Sequence, residues 1–341
     1  MSVFEITVLG SSSATPAYNR NPSAQIINLN DHFYLVDCGE ATQNQLNKFK
    51  IKSAKIDTIF ISHLHGNNYL GLVGLLSTLH LNGRTKEMHI IGPPELKEII
   101  DLQLKVSETQ LRFPINFRAT QVDYTEVVFQ NNDVIVETII LHHRIPTTGF
   151  IFREVARKRK INTDKLNEYD IPLEYIPLLK NGIDYCDKFG RTIPNAELTF
   201  APIPAKTYAY CSDTIYTEHF LDQIEGIDFL YHESTFLHEL LARAEETFHT
   251  TALQAAELAK KANVKNKDKS IKKFNEKNIK IQYYTSDKPA GPQNENWVTD
   301  DSQERAIIGA PKVNDSYRFQ IDSSLIDSTI KKTKIVFKNY A

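Results

Sequence analysis

Cysteine is scarce in this chain, with three in 341 residues: Cys38, Cys186 and Cys211. So few, and so widely spaced, they exclude a disulfide framework and a thiolate metal centre, and they make the cytoplasm the expected compartment. Long apolar runs are missing as well. No stretch of about 18 apolar residues occurs, which excludes a transmembrane helix, and no membrane partner is expected. The opening MSVFEITVLG lacks the charged and apolar zones of a secretion signal. Charge of one sign is also lacking. The 40 basic residues face 42 acidic ones, a net charge of -2, so nothing in the overall balance draws the chain toward nucleic acid. Contacts with a polyanion would have to come from local clusters.

What is present is a series of short apolar segments. FEITVLG, SAQIINL, HFYLVDCG and IDTIFISH read as strands, the last a buried one that ends on polar residues. Glu40–Phe49 reads as a short helix, and Leu70–Leu81 carries apolar residues at helical spacing. HIIGP, INFRATQV, TEVVFQ, DVIVETIILHH, TYAYCSD and IDFLYHE continue the strand pattern, and Thr250–Ala262 is rich in helix formers. Strands in series with helices crossing over them predict an α/β protein of stacked layers. The core is expected over residues 1–264. Residues 153–203 are richer in proline and charge, with turn signals at Asn181-Gly182 and Phe189-Gly190, and form an arm-like excursion. Residues 265–341 open with a lysine-rich insertion and then show only weak strand patterns.

Two basic clusters stand out. Arg153, Arg157, Lys158, Arg159 and Lys160 form one; Lys265, Lys267, Lys269, Lys272, Lys273, Lys277 and Lys280 form the other. A solvated surface is the default reading of either, and phosphate contact is the alternative.

Ser62-His63-Leu64-His65-Gly66, directly after the IDTIFI strand, is the strongest chemical signal. Histidines at i and i+2 on extended backbone point to the same side and can reach one cation. His143, after the VETIIL run, and Asp213, after TYAYCS, are further candidates. Each alone is more often structural, but all sit where strands end, as active-site residues of α/β proteins do.

At this point the motifs LGSSSATP, NPSAQ, DCGEATQ, ISHLHG, HHRIPTTGF, YCSDT, YHESTF and FHTTALQAAELAKKA, in this order, resemble the ribonuclease Z family. The resemblance covers about residues 1–264. It implies a four-layer αββα metallo-β-lactamase sandwich and an endoribonuclease that removes the 3′ trailer of precursor tRNA. Such an enzyme uses two zinc ions, and homodimers are usual. Carried over residue by residue, His63, His65 and His143 are expected to bind the first metal, with Asp213 bridging both. His232, Glu233 and His249 match the group that protonates the leaving oxygen.

The second metal site departs from the pattern. Where the family has His-x-His-x-Asp-His, this chain reads His63-Leu64-His65-Gly66-Asn67-Asn68. Asn67 stands at the general-base position but cannot accept a proton, and Asn68 removes an imidazole. A later ligand aligns with Tyr283, and a phosphate-binding arginine with Asp287, whose charge would repel a phosphate. Ser12 and Ala41 stand where glycines are usual. These departures imply one zinc ion per chain and reduced or lost cleavage. A non-catalytic RNA- or nucleotide-binding paralogue is the second reading, with contacts from Arg153–Lys160 and from Lys269, Lys272 and Lys273. A hydrolase of small cyclic nucleotides is the third. Trp297, Cys211, His32, His80, His89, His219 and His238 read as incidental.

Overall fold

The computed structural model describes residues 3–12 and 21–264. Tyr283, Asp287, Trp297 and the cluster Lys265–Lys280 lie outside the described residues. The larger unit, residues 3–153 and 207–264 among those described, is built on two sheets. The first contains β1 (Phe4–Gly10), β2 (Ala24–Leu29), β3 (His32–Cys38), β4 (Ile56–Phe60), β5 (Met88–Gly92) and β6 (Ile115–Ala119), side by side in that order. β1 to β3 pair antiparallel, and β3 to β6 pair parallel. The second sheet comprises β7 (Val127–Gln130), β8 (Val134–Leu141), β9 (Thr147–Glu154), β10 (Thr207–Cys211) and β11 (Phe229–His232), ordered β11-β10-β9-β8-β7. β10 and β11 pair parallel, and β9 and β10 pair antiparallel.

Alternation along the first-sheet strands explains the layering, because successive side chains point to opposite faces. Ile27, Tyr34, Val36, Phe60 and Ile91 point into a core shared with Val136, Ile139, Phe150, Phe152, Tyr208 and Tyr210 of the second sheet. Their neighbours Ile26, Leu35, Ile59 and Ile90 point the other way, into a second core. There they meet α3 (Leu72–Leu81) through Leu72, Leu75, Leu76 and Leu79, and α4 (Glu95–Val106) through Leu96 and Ile100. With both faces covered, these strands read as unbroken apolar runs. On the far side of the second sheet α6 (Ala252–Lys261) contributes Ala252, Ala256, Leu258 and Ala259. The result is the helix–sheet–sheet–helix sandwich that the resemblance implies.

Short helices complete the loops: α1 (Thr42–Lys48) and α2 (Gly66–Tyr69) in the first half, and α5 (Leu241–Glu246) before α6. α6 starts from a capping box, in which Thr251 accepts from Gln254 N while the Gln254 side chain accepts from Thr251 N. Of the two residues replacing glycine, Ala41 sits at φ 61°, a left-handed conformation costing a Cβ-bearing residue about 1 kcal/mol. Buried Ser12 is in no such conformation.

The smaller unit is Glu154–Lys206. It has its own cluster of Leu166, Ile171, Leu179, Tyr185, Ile193 and Leu198. Asn195 ties it together, its Nδ2 donating to Leu179 O at 2.8 Å and Ile183 O at 2.9 Å. Gly182 and Gly190 adopt φ 89° and 80°, where glycine is favoured, at the two turn signals of the sequence.

Candidate metal centre

Each candidate ligand leaves the sandwich just past the carboxyl end of a strand. His63 and His65 follow β4, His143 follows β8, and Asp213 follows β10. Their ligand atoms lie within 4.8 Å of one another. His63 Nε2 is 3.1 Å from His65 Nδ1, and His143 Nε2 is 3.2 Å from the same nitrogen. Asp213 Oδ2 lies 3.5 Å from His63 Nε2 and 3.9 Å from His143 Nε2.

The surroundings fix which nitrogens face inward. His143 Nδ1 donates to Phe248 O at 2.9 Å, so its Nε2 carries the lone pair. His63 Nδ1 lies 3.0 Å from Ser62 Oγ, and that hydroxyl donates to Asp37 Oδ2 at 3.1 Å, so Ser62 accepts from His63. Three imidazole nitrogens and a buried carboxylate thus converge on one point. Protons alone cannot satisfy three lone pairs held this close, whereas a divalent cation satisfies all of them, and the donor set fits such an ion.

Burial, followed by neighbouring histidines, lowers the His65 pKa to about 4; burial, followed by the balance of Asp213 and nearby imidazoles, does the same for His143. Both rings are therefore neutral, as metal ligands must be. The sign of the pH dependence follows. The unfolded chain takes up protons near the ordinary 6.5, while the folded chain resists until about 4. This contribution to the stability of metal-free protein is complete above about pH 6.5 and is lost as pH falls toward 4. Thermal unfolding of chelator-treated protein should show Tm falling across that window, and falling less in a His65→Ala/His143→Ala double variant. Equal falls would remove these imidazoles as the cause.

Asp37, at the end of β3, anchors the back of the centre. It is 0% exposed and accepts four hydrogen bonds: Ser62 N at 2.8 Å, Ser62 Oγ at 3.1 Å, Asn68 Nδ2 at 2.7 Å and Tyr210 OH at 2.6 Å. Burial pushes its carboxyl up, and His63 and the donors pull against that. Nothing local in the DCGEATQ motif marks Asp37 for this role, because its partners lie 25, 31 and 173 residues away. Asn68, the residue in place of a second-site imidazole, has its amide nitrogen committed here, and its Oδ1 is a neutral oxygen that is a poor zinc donor. Backbone packing holds this corner shut. A Cβ on Gly71 would stand 2.2 Å from Gly39 O, and one on Gly39 would stand 2.3 Å from Asn67 O.

Beside the ligands lies a buried carboxylate–imidazole pair. Glu233 Oε1 is 3.0 Å from His249 Nδ1 and also accepts from Thr250 N at 2.9 Å and Thr214 N at 3.2 Å. Its Oε2 accepts from Thr235 N and Thr235 Oγ1, both at 2.8 Å. Burial alone would raise this carboxyl, but His249 and the other donors outweigh it and hold it below its usual range. The His249 ring is 5.0 Å from that of His143, centroid to centroid. His232 is placed differently. Its Nδ1 bonds to Glu233 O at 2.6 Å and its ring stacks on Phe220, inside the core.

The first basic cluster divides. Arg153 is taken up by Glu137 Oε2 at 2.8 Å and Gln223 O at 3.0 Å, and Arg159 Nε bonds to Thr199 Oγ1 at 2.6 Å. Arg157, Lys158 and Lys160 are exposed.

Comparison with known proteins agrees with this geometry. A family model described as anti-Pycsar protein Apyc1 matches residues 4–169. A ribonuclease Z from Bacteroides fragilis (strain YCH46) is 42% identical over 265 residues, 78% of this chain and 87% of that protein. One from Cytophaga hutchinsonii is 48% identical over 260 residues, 76% of this chain and 83% of the relative. Among solved structures, the short form of human tRNase Z aligns with a TM-score of 0.57 and 25% identity, over 77% of this chain and 89% of that one. The metallo-β-lactamase fold protein YhfI of Bacillus subtilis gives a TM-score of 0.52 at 18% identity, over 76% and 82%, a likeness of fold. No helix among the described residues is long and apolar enough to cross a membrane. The metal-ligand geometry and these extended identities agree: the chain belongs to the ribonuclease Z family of metal-dependent hydrolases with the metallo-β-lactamase fold.

Proposed function

We propose that this protein is a one-metal RNA phosphodiester hydrolase of the tRNA 3′-processing lineage, slower than relatives that hold two ions. The observation that carries the reading is an asymmetry. The ligands expected of one ion converge, and the Glu233–His249 pair stands beside them, while Asn68 is tied to Asp37 instead of offering an imidazole. Zinc suits the three imidazoles and one carboxylate, and when bound it would polarise the phosphate and lower the pKa of attacking water.

His63, His65, His143 and Asp213 would hold the ion, which would supply the charge that positions the phosphate. Glu233 fixes His249 through Nδ1 and stabilises its protonated form, so Nε2 is the nitrogen that delivers a proton to the leaving oxygen. His232 serves this pair from behind, through the Glu233 backbone. Asn67 cannot take the proton from water, and loss of a general base costs roughly 10²–10⁴-fold in rate. Exposed Arg157, Lys158 and Lys160 are available to RNA phosphates, with Arg153 and Arg159 supporting that segment. Cytoplasmic location and a homodimer belong to the same proposal, on family membership and, for the former, on scattered cysteines.

The test combines elemental analysis of purified protein with incubation of the zinc-loaded form with precursor tRNA. One ion per chain and slow 3′-trailer cleavage, abolished in His249→Ala, is the expected result. Two ions per chain would overturn the one-metal reading. RNA binding with no cleavage above the His249→Ala background would leave the non-catalytic paralogue in its place.

A further inference from the structure

The segment that delivers His249 runs against its own local preference. α5 gives way at Thr247, and the chain leaves it through the paired hydrogen bonds of a Schellman turn: Phe248 N to Glu245 O at 3.2 Å and His249 N to Ala244 O at 2.8 Å. The residue making this exit must be left-handed, and Phe248 is, at φ 60°. Glycine adopts that conformation freely, whereas a residue with a Cβ is strained there. Burial does not explain the choice. Phe248 is 40% exposed and belongs to none of the three hydrophobic clusters.

Nor does the backbone explain it. The Phe248 carbonyl accepts from His143 Nδ1, but a glycine carbonyl would do the same. What phenylalanine adds is an exposed aromatic face on the residue that touches one metal-ligand candidate and immediately precedes the proton donor. Arg144, exposed and next in the chain to His143, adds a guanidinium on the segment that carries this ligand candidate. Lys50, Glu108, Asp170 and Asn263 leave other helices through the same left-handed turn, so what sets this one apart is not the strain but the exposed aromatic side chain it places beside the site. An aromatic face and a guanidinium together match a nucleotide, which offers a base to stack and a phosphate to pair.

We propose that Phe248 positions the substrate, its ring stacking on the base beside the scissile phosphate while Arg144 pairs with the neighbouring phosphate. This rests on the reading of the site as an RNA phosphodiester hydrolase. The test compares the unaltered full chain with Phe248→Gly, Phe248→Leu and Phe248→Trp, measuring Tm, zinc content, and affinity for and cleavage of a precursor tRNA. Phe248→Gly should raise Tm and leave zinc content unchanged, yet weaken affinity on the order of tenfold. Phe248→Leu should lose affinity similarly without the gain in Tm, and Phe248→Trp should keep it. A glycine variant that binds and cleaves like the unaltered chain overturns the stacking role alone. One that melts earlier and loses zinc makes the ring a packing group and overturns it too. Unaltered protein inert toward RNA overturns the reading of the site itself.

Discussion

Replacing His63 with alanine should leave the purified protein with little or no bound metal, a drop to under about a tenth of the one ion per chain proposed above. His63 is 0% exposed, and its Nε2 lies within 3.1 Å of the His65 donor and 3.5 Å of Asp213 Oδ2, so it touches two of the other three ligands. Water cannot readily replace it from the buried side. His65 is only partly buried, so His65→Ala should retain more ion than His63→Ala. Precursor-tRNA cleavage should disappear with the metal, since the proton transfer proposed for the Glu233–His249 pair would by itself be worth only roughly 10²–10⁴-fold. His142→Ala is the control, because that exposed ring stacks on His219 at 4.4 Å and is outside the ligand set. Unchanged metal content in His63→Ala would put the ion elsewhere.

The second large effect is on folding. Asp37→Ala should lower the unfolding free energy by about 3–5 kcal/mol, read from urea denaturation, because it strands several buried donors at once. Ser62 N, Ser62 Oγ, Asn68 Nδ2 and Tyr210 OH all donate to this carboxylate. Asp37→Asn separates charge from shape. Asparagine tolerates the φ of 56° at this position, but its own amide hydrogens must face groups that are already donors. It should fall between the alanine variant and the unaltered protein. Asn68→Ala, which removes one donor, should cost less than Asp37→Ala. A loss below about 1 kcal/mol in Asp37→Ala would mean that these donors find other partners, and the support behind His63 would have to be reassigned.

Local pattern was enough for much of the fold. IDTIF alternates Ile59 toward the helices and Phe60 toward the second sheet, and IDFLYHE and TYAYCSD likewise became strands that end at site residues. Leu70–Leu81 and Thr250–Ala262 became α3 and α6. Two elements were not legible from local pattern: α4 at Glu95–Val106, which follows Pro93-Pro94, and β9, whose start lies inside the motif HHRIPTTGF. The basic run Arg153–Lys160 looked uniform, yet Arg153 is held by Glu137 and Gln223 from segments 16 and 70 residues away. Spacing along the chain carries no information about such partners.

By itself the sequence determined the kinds of groups available: imidazoles two apart at a strand end, a carboxylate after another strand, and amides where a second ion would need imidazole and carboxylate. Only the tertiary structure decided how those groups are used. It committed Asn68 to Asp37 across 31 residues, brought His143 and Asp213 to His63 from the second sheet, and turned Phe248 outward beside them. The physical reason is that residue type sets which bonds a side chain can make, while lone-pair direction and burial depend on distant strands that pack against it.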